Sequence, residues 1–264
     1  MPDWLIFVAS AVSFLLASTA LFFFTLTRGA LIARALTGQA AHETTHIYPL
    51  YSNLRLIKLV DFQPVIAAIL LFQYDRLVSL IAAGLRNTDL RGQDVLITSC
   101  AFGNVIPRVV DAALGAGARR VLIADIIRNE LTNARDKLGA HLDQVEFIEE
   151  NAVAMQRADE SVDANVIFFL LHELPHELKR VALKEAVRVL RPGGKLYLAE
   201  FHRPDQPVLR MLSWIYFKVF EPLGLALWST HDPLMQLEGL GKLQCERRTV
   251  FFSNFQVIVA TKLA

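Results

Sequence analysis

Between residues 94 and 201, short apolar runs alternate with longer amphipathic segments, and no other feature constrains the chain as strongly. Residues 94–99, 120–125, 145–148, 164–171 and 195–201 read as strands by length and apolar content. The run at 164–171 is the most apolar, as expected of a central parallel strand covered on both faces. Helical patterns fill the gaps, and the helix over 177–190 must stop at Arg191-Pro192-Gly193-Gly194, where Pro and Gly oppose its continuation. Residues 249–252 and 256–261, joined through Ser253-Asn254, read as a closing hairpin. Strands alternating with helices imply a parallel sheet with right-handed crossovers, an α/β fold of Rossmann-like type. A ligand belongs at the carboxyl ends of such strands, near the point where strand order reverses.

The N-terminus has a different character. Residues 4–27 form a stretch of 24 residues without a charge, rich in Leu, Phe, Ala and Val. At 1.5 Å per residue a helix of this length crosses a hydrocarbon core of about 30 Å. A signal peptide would begin with a basic region, and this chain begins Met1-Pro2-Asp3. A core helix of this length would show a polar face. Three regions are therefore expected: a transmembrane anchor over 1–35, a linker with cap helices over 36–90, and the α/β domain over 91–264. Asp3 before the span and Arg28 and Arg34 after it place the domain on the cytoplasmic side of an inner membrane. The lipid bilayer is thus the first expected partner. Ala9, Ser10, Ser13 and Ala17 recur at helical spacing and would allow packing against a second membrane protein, so a membrane complex is another.

Composition narrows the classes. Lysine and arginine total 27 against 26 acids, a net charge of +1 that offers no field for nucleic acid. Cys100 and Cys245 are the only cysteines, which excludes a disulfide framework or a CxxC zinc site and fits a reducing compartment. His42, Glu43 and His46 lie in a polar stretch that reads as solvated linker rather than a metal site. From residue 54 to 85 apolar residues recur at helical spacing, interrupted by Pro64, and residues 65–72 are too few to span. This segment reads as a cap on the domain or as a helix lying at the membrane interface.

Asp125 ends the second strand, where a carboxylate can accept both hydroxyls of a ribose. The loop after the first strand is Thr98-Ser99-Cys100-Ala101-Phe102-Gly103-Asn104, with a single glycine and a bulky Phe. A pyrophosphate needs more glycines to approach the backbone, so a nucleoside ligand without phosphates, such as S-adenosylmethionine, is the better fit. The structural alternative is that Asp125 is an ordinary satisfied acid.

These residues resemble a known family. Arg191-Pro192-Gly193-Gly194-Lys195-Leu196 and the terminal hairpin look like class I S-adenosylmethionine-dependent methyltransferases. Thr98-x-Cys100-x-x-Gly103-Asn104, Asp125-x(5)-Leu131-x-Asn133-x-Arg135-x-Lys137-Leu138, Phe168-Phe169-Leu170-Leu171-His172-Glu173-x-Pro175 and His202-Arg203-Pro204 are more specific. Together they look like the rhodoquinone-biosynthesis methyltransferase-like enzymes, relatives of the ubiquinone/menaquinone C-methyltransferases, over roughly residues 48–230. The resemblance implies a seven-stranded, mostly parallel sheet with an antiparallel C-terminal hairpin. It also implies a lipophilic quinone substrate, exchange of a ring methoxy group for an amino group with S-adenosylmethionine as nitrogen source, and a divalent metal such as manganese.

The resemblance also implies roles. Thr98, Cys100, Gly103 and Asn104 form the cofactor loop, with Gly103 passing close to the methionine part of the ligand. Asp125 holds the ribose, and Asn151 stands near the adenine. His172 and Glu173 leave the fourth strand, where substrate meets cofactor, and serve as general base, quinone-oxygen donor or metal ligands; alternatively His172 caps a helix and Glu173 is solvated. His202 and Arg203 polarise a quinone carbonyl or simply fix the loop before Pro207. Trp214, Tyr216 and Trp228 line an apolar entrance, belong to the core or sit at the membrane interface. The resemblance implies an acid where Asn104 stands, another near Asn151, and an aromatic run in place of Tyr51-Ser52-Asn53-Leu54, and this chain departs from it at those positions. Three readings follow: a membrane-bound quinone-modifying enzyme, a methyltransferase for another hydrophobic acceptor, and a non-catalytic accessory subunit of a membrane complex.

Overall fold

The computed structural model describes residues 51, 53–219 and 221–264, together with Ser10, Ser13, Ala17 and Ser18. The expected span over residues 4–27 and the His42, Glu43 and His46 linker therefore lie outside the described residues, those four apart. Three short helices open the described chain: α1 (Leu54–Val60), α2 (Gln63–Ile69) and α3 (Tyr74–Arg86). Pro64 starts α2 instead of breaking a longer helix, since proline is tolerated in a first turn. Then β1 (Asp94–Thr98), α4 (Val105–Gly115), β2 (Arg120–Asp125), α5 (Arg128–Leu138) and β3 (Val145–Glu149) follow in strict alternation. β4 (Val162–Phe168), α6 (His176–Arg188) and β5 (Leu190–Phe201) complete the parallel part. α7 (Pro207–Val219), α8 (Pro233–Glu238) and the hairpin β6 (Leu243–Val250) and β7 (Phe255–Lys262) close the chain.

The seven strands run in the order β3-β2-β1-β4-β5-β7-β6, with β7 antiparallel to both neighbours. The order reverses between β1 and β4, and the ends of these strands frame the expected crevice. Alternation along each strand sorts the core into two layers. Val95, Ile97, Val121, Ile123, Val166 and Tyr197 face α3, α4 and α5, while Leu96, Leu122, Ile167, Leu196, Leu198 and Ile258 face α6 and the segment around Leu237. The apolar stripe of α3, Leu77, Val78, Ile81 and Leu85, is fully buried against the first layer. Each such side chain stabilises the fold by about 1.5–3 kcal/mol, so the cap helices share one core with the sheet.

Two details differ from the sequence-based expectation. The Pro192-Gly193-Gly194 segment lies inside β5 as a bulge, because Val162 pairs with Leu190 and Ala164 with Lys195. Gly193 takes a φ of +80° there, a region that costs glycine little. β6 also begins earlier than the hairpin pattern suggested, at Leu243. Its charged residues Glu246, Arg247 and Arg248 mask the strand signal, yet they suit a sheet edge that must resist pairing with another chain.

Among the described residues no single helix is long and apolar enough to cross a membrane. α2 and α3 together pass by composition but meet at 95°, and the burial of α3 in the sheet layer accounts for its apolar face.

Candidate functional site

β1 ends at Thr98, whose hydroxyl donates to Asn165 Oδ1 at 2.8 Å, joining β1 to β4 below the crevice. The chain then turns through Ser99, held at a φ of +76°, an uncommon conformation for a non-glycine residue and one concentrated at functional turns. That turn aims the Cys100 N–H at Asp125 Oδ2, 2.6 Å away, while the Ile127 N–H reaches Asp125 Oδ1 at 2.8 Å. Ser99 Oγ stands 3.4 Å from Oδ2. Burial raises the Asp125 pKa above its ordinary value, partly offset by these donors. An ionised carboxylate has about four lone-pair sites, so both oxygens keep capacity for a further hydroxyl donor. Burial, and next the charge of Asp125, push the Cys100 thiol well above its ordinary pKa and so favour the neutral thiol over the thiolate.

A cleft of about 130 Å³ opens beside Asp125, lined by Ser99, Glu150, Asn151, Leu170 and Leu174 among others. Ligand sites commonly measure roughly 300–1,000 Å³, so a nucleoside seated here would extend beyond it along the β1 loop. Asn151 is exposed at the rim and accepts the Val153 N–H at 3.1 Å. Its neighbour Glu150 is buried, paired with Arg157 at 2.8 Å and bonded by the Gln156 N–H at 2.9 Å.

The far side of the β1 loop is clasped by the cap. The Gly103 N–H donates to Asp61, which also accepts Asn133 Nδ2 at 2.9 Å and pairs with Lys137 Nζ at 2.9 Å. Lys137 Nζ reaches the Gly103 carbonyl as well, at 2.9 Å. Gly103 has a φ of +79°, and a Cβ there would lie 2.5 Å from the Tyr74 hydroxyl, so no other residue fits. Asn104 follows as the N-cap of α4 without a capping bond from its side chain, and its Oδ1 is buried with no hydrogen-bond partner. Glu130, buried in the first turn of α5, has its pKa raised to about 9 by burial and by the charge of Asp125, and one of its oxygens also lacks a partner.

A second cluster leaves the end of β4. Phe169 takes a φ of +55° and turns the chain into the Leu171–Glu173 helical turn, whose flanks Leu170 and Leu174 form a wall of the cleft. His172 is buried, with Nδ1 3.2 Å from Glu200 Oε1 and Nε2 4.0 Å from Glu173 Oε1. Glu200 is fully buried in β5 and accepts the backbone N–H groups of Leu171 at 2.9 Å, His172 at 3.3 Å and Phe201 at 2.8 Å. The fully buried Lys179 grips the same turn from below through the Leu174 carbonyl at 2.6 Å and the Leu171 carbonyl at 2.5 Å. Tyr51 donates to Glu173 Oε1 at 3.0 Å and stacks on Phe102, carrying the cap across to the β1 loop. Phe169 and Phe201 pack edge-on against the His172 ring, and Phe217 and Trp228 extend this aromatic wall.

Burial would lower the His172 pKa, but the charge and hydrogen bond of Glu200 reverse that and lift it to about 9. Burial raises Glu173 to about 7, with the His172 charge acting against it. Both folded values lie above the unfolded ones. The stability they contribute is complete below about pH 4.5 for Glu173 and about pH 6.5 for His172, and is lost as pH rises through about 7 and about 9. The melting temperature is therefore expected to fall between about pH 5 and about pH 9, and Glu173→Gln should flatten the acid half of that slope. Melting curves across the range check this, and a midpoint that climbs with pH contradicts the assignment.

Of the expected site residues, Asp125 and Asn151 line the cleft, Cys100 holds Asp125 through its N–H, and His172 and Glu173 lie on the turn between the lining residues Leu170 and Leu174. It places Thr98 below and Gly103 and Asn104 on the clasped side of the loop. His202 is engaged elsewhere, with Nδ1 2.7 Å from the Ser253 carbonyl and Nε2 accepting Arg247 at 3.2 Å, and Arg203 is exposed. Glu200, Tyr51, Glu150 and Asp61 were not foreseen. Glu200 had a legible signal, a lone acid in an otherwise apolar strand end; the other three depend on tertiary contacts. Among the described residues no three His, Cys, Asp or Glu side chains are grouped to hold a metal ion, so the donor set does not fit a resident manganese and no step is assigned to one.

A family model for the ubiE/COQ5 methyltransferase family matches residues 64–231, from the cap helices to beyond α7. The chain belongs to this family. A ubiquinone/menaquinone biosynthesis C-methyltransferase from Nitrobacter hamburgensis is 37% identical over 138 residues, 51% of this chain and 53% of the relative. One from Paracoccus denitrificans is 32% identical over 152 residues, 55% and 58% of the two chains. The matches thus span little more than half the length of these relatives. A SAM dependent methyltransferase from Aquifex aeolicus has a similar fold, with a TM-score of 0.53 at 18% identity over 80% of this chain and 99% of that one. An O-methyltransferase family protein from Burkholderia thailandensis gives 0.56 at 16% identity over 76% and 59%. The cofactor of a ubiE/COQ5-type methyltransferase is S-adenosylmethionine, and the residues present fit it: Asp125 lines the cleft and keeps acceptor capacity at the ribose position.

Proposed function

We propose that this chain is an S-adenosylmethionine-dependent enzyme modifying a lipophilic quinone, held on the cytoplasmic face of an inner membrane by residues 4–27. The observation that carries it is the buried cluster of His172, Glu173 and Glu200, walled by aromatic rings and joined to the Asp125 cleft by one turn. The relatives named as quinone C-methyltransferases support the substrate class. The charge-free N-terminal stretch supports the membrane, since a polyprenyl quinone resides in the bilayer.

S-adenosylmethionine supplies an electrophilic methyl group when bound. A quinol ring carbon that accepts a methyl must release its own hydrogen as a proton, so a base has to stand beside the ring. Glu173, with a pKa of about 7, is partly ionised near neutrality and can take that proton. His172 remains charged to about pH 9 and can donate from Nε2 to a ring oxygen. Glu200 fixes the imidazole through Nδ1 and so directs Nε2 toward Glu173. The rhodoquinone-type exchange of a ring methoxy for an amino group is a finer reading with the same cofactor and substrate class, but it is a different reaction: a C–N bond replaces the C–OCH3 bond and no ring hydrogen is lost.

Incubating the detergent-solubilised full-length protein with S-adenosylmethionine and either a demethylated quinol or ubiquinone, followed by mass spectrometry, tests this. A ring that gains a methyl supports C-methylation, and a methoxy replaced by an amino group supports the rhodoquinone-type exchange. Cofactor binding with neither product would favour the reading as an accessory subunit of a membrane complex, to which the uncharged Asn104 and Asn151 also point.

A further inference from the structure

The outer face of α7 carries a row of apolar side chains with no cover. Val208, Met211, Leu212, Trp214 and Ile215 are 45% to 60% exposed. Val208, Met211, Leu212 and Ile215 follow the i, i+3, i+4, i+7 spacing of one helical stripe. The opposite face is committed to the protein: Ser213 is buried and bonded to Asn254 at 2.8 Å, and Phe217 is buried against Phe201 and Trp228. The stripe is therefore not a misplaced core face, since the helix already has one.

We propose that the outer face of α7 docks in the plane of an anionic lipid bilayer. At 13 residues α7 is about 20 Å long by its rise per residue, too short to cross a core of about 30 Å, so it can only lie along the surface. The rim has the chemistry of that interface. Lys218 Nζ stands 5.7 Å from the ring centre of Trp214, a cation and an indole side by side on one flank of the stripe. Over residues 203–218 the cations are Arg203, Arg210 and Lys218, and the single acid, Asp205, accepts the Ser253 hydroxyl. An apolar stripe flanked by net positive charge binds anionic headgroups and buries its side chains at the acyl boundary.

The placement ties the surface to the site. Tyr216 and Phe217, on the inner side of the same helix, reach the Phe201 ring that packs on His172. A helix seated on the bilayer would set the aromatic wall of the buried cluster directly behind the lipid boundary, where a quinone ring arrives with its tail still in the membrane. The inference deepens the proposed quinone function in this respect, although lipid contact by α7 can be read without any turnover.

The test uses the full-length chain carrying Trp4→Phe, reconstituted into phosphatidylcholine–phosphatidylglycerol vesicles brominated on the acyl chains. Trp214 emission is expected to be quenched, and the quenching to vanish in a Trp214→Phe partner variant, which identifies the residue. Met211→Glu with Ile215→Glu should abolish the quenching while leaving the melting curve intact, because both positions are exposed. Vesicles of phosphatidylcholine alone should quench less. Resistance to alkaline carbonate extraction reads the N-terminal span separately, so a chain that stays in the membrane with Trp214 unquenched overturns the docking of α7 and leaves the anchor standing. Trp214 shielded from both bromolipid and aqueous iodide would mean that the N-terminal segment covers α7. Emission that changes with protein density in the vesicles would mean a second copy does. Either result overturns the proposal.

Discussion

Asp125→Ala should weaken S-adenosylhomocysteine binding by about two orders of magnitude or more. A hydrogen bond to a charged group contributes about 1.5–3 kcal/mol, and two ribose hydroxyls on one carboxylate correspond to roughly 10²- to 10⁴-fold in affinity. The same carboxylate also receives the N–H groups of Cys100 and Ile127, so truncation leaves two donors short of a partner and loosens the turn at Ser99. Asp125→Asn separates the two effects, because it keeps the shape and an acceptor oxygen while removing the charge. Calorimetric titration with S-adenosylhomocysteine, run beside melting curves, reads binding and folding independently. A folded Asp125→Ala protein that binds as tightly as the parent would remove the cleft from consideration as the nucleoside site.

Glu200 is the second position where a large effect is expected. It is buried in a central strand, and it accepts three backbone N–H groups and the His172 ring at once. Glu200→Ala strips a buried cation of its counter-ion, a change that typically costs about 3–5 kcal/mol. Much of the population should then unfold at moderate temperature, given total stabilities of about 5–15 kcal/mol. Glu200→Gln retains the volume and one acceptor, and its consequence is chemical. Without the carboxylate charge, burial governs His172 and its pKa falls well below about 9. The alkaline limb of the pH–rate profile should move to lower pH by more than one unit, and the His172 ring resonances should titrate with it. A merely structural Glu200 would lower the rate at every pH and leave the limb in place.

The sequence made some of this legible and concealed the rest for physical reasons. Buried parallel strands are apolar on both faces, so β1, β2, β4 and β5 stand out against their surroundings, and Asp125 gains meaning from ending β2 and His172 from the turn just beyond β4. β6 was partly hidden because an edge strand is selected to carry charges. The bulge at Pro192-Gly193-Gly194 resembles a simple helix stop, since the same residues serve both purposes and only strand pairing tells them apart. His202 was adjacent in motif to the expected rim, yet the hairpin residues Ser253 and Arg247, some fifty positions away in sequence, decide where its ring points. Tyr51 and Asp61 come from the cap, and no local pattern says that they close over Glu173 and Gly103.

The interior position of β7 has a consequence for biosynthesis. β5 and β6 each pair with β7, so the apolar edge formed by Leu196, Tyr197, Leu198 and Ala199 has no partner until a strand encoded more than fifty residues later leaves the ribosome. The sheet is therefore completed late, and the growing chain carries a sticky, unpaired border through that interval. Stalled or shortened products that stop before Phe255 would keep this border permanently, which makes them natural clients for chaperones and quality-control proteases.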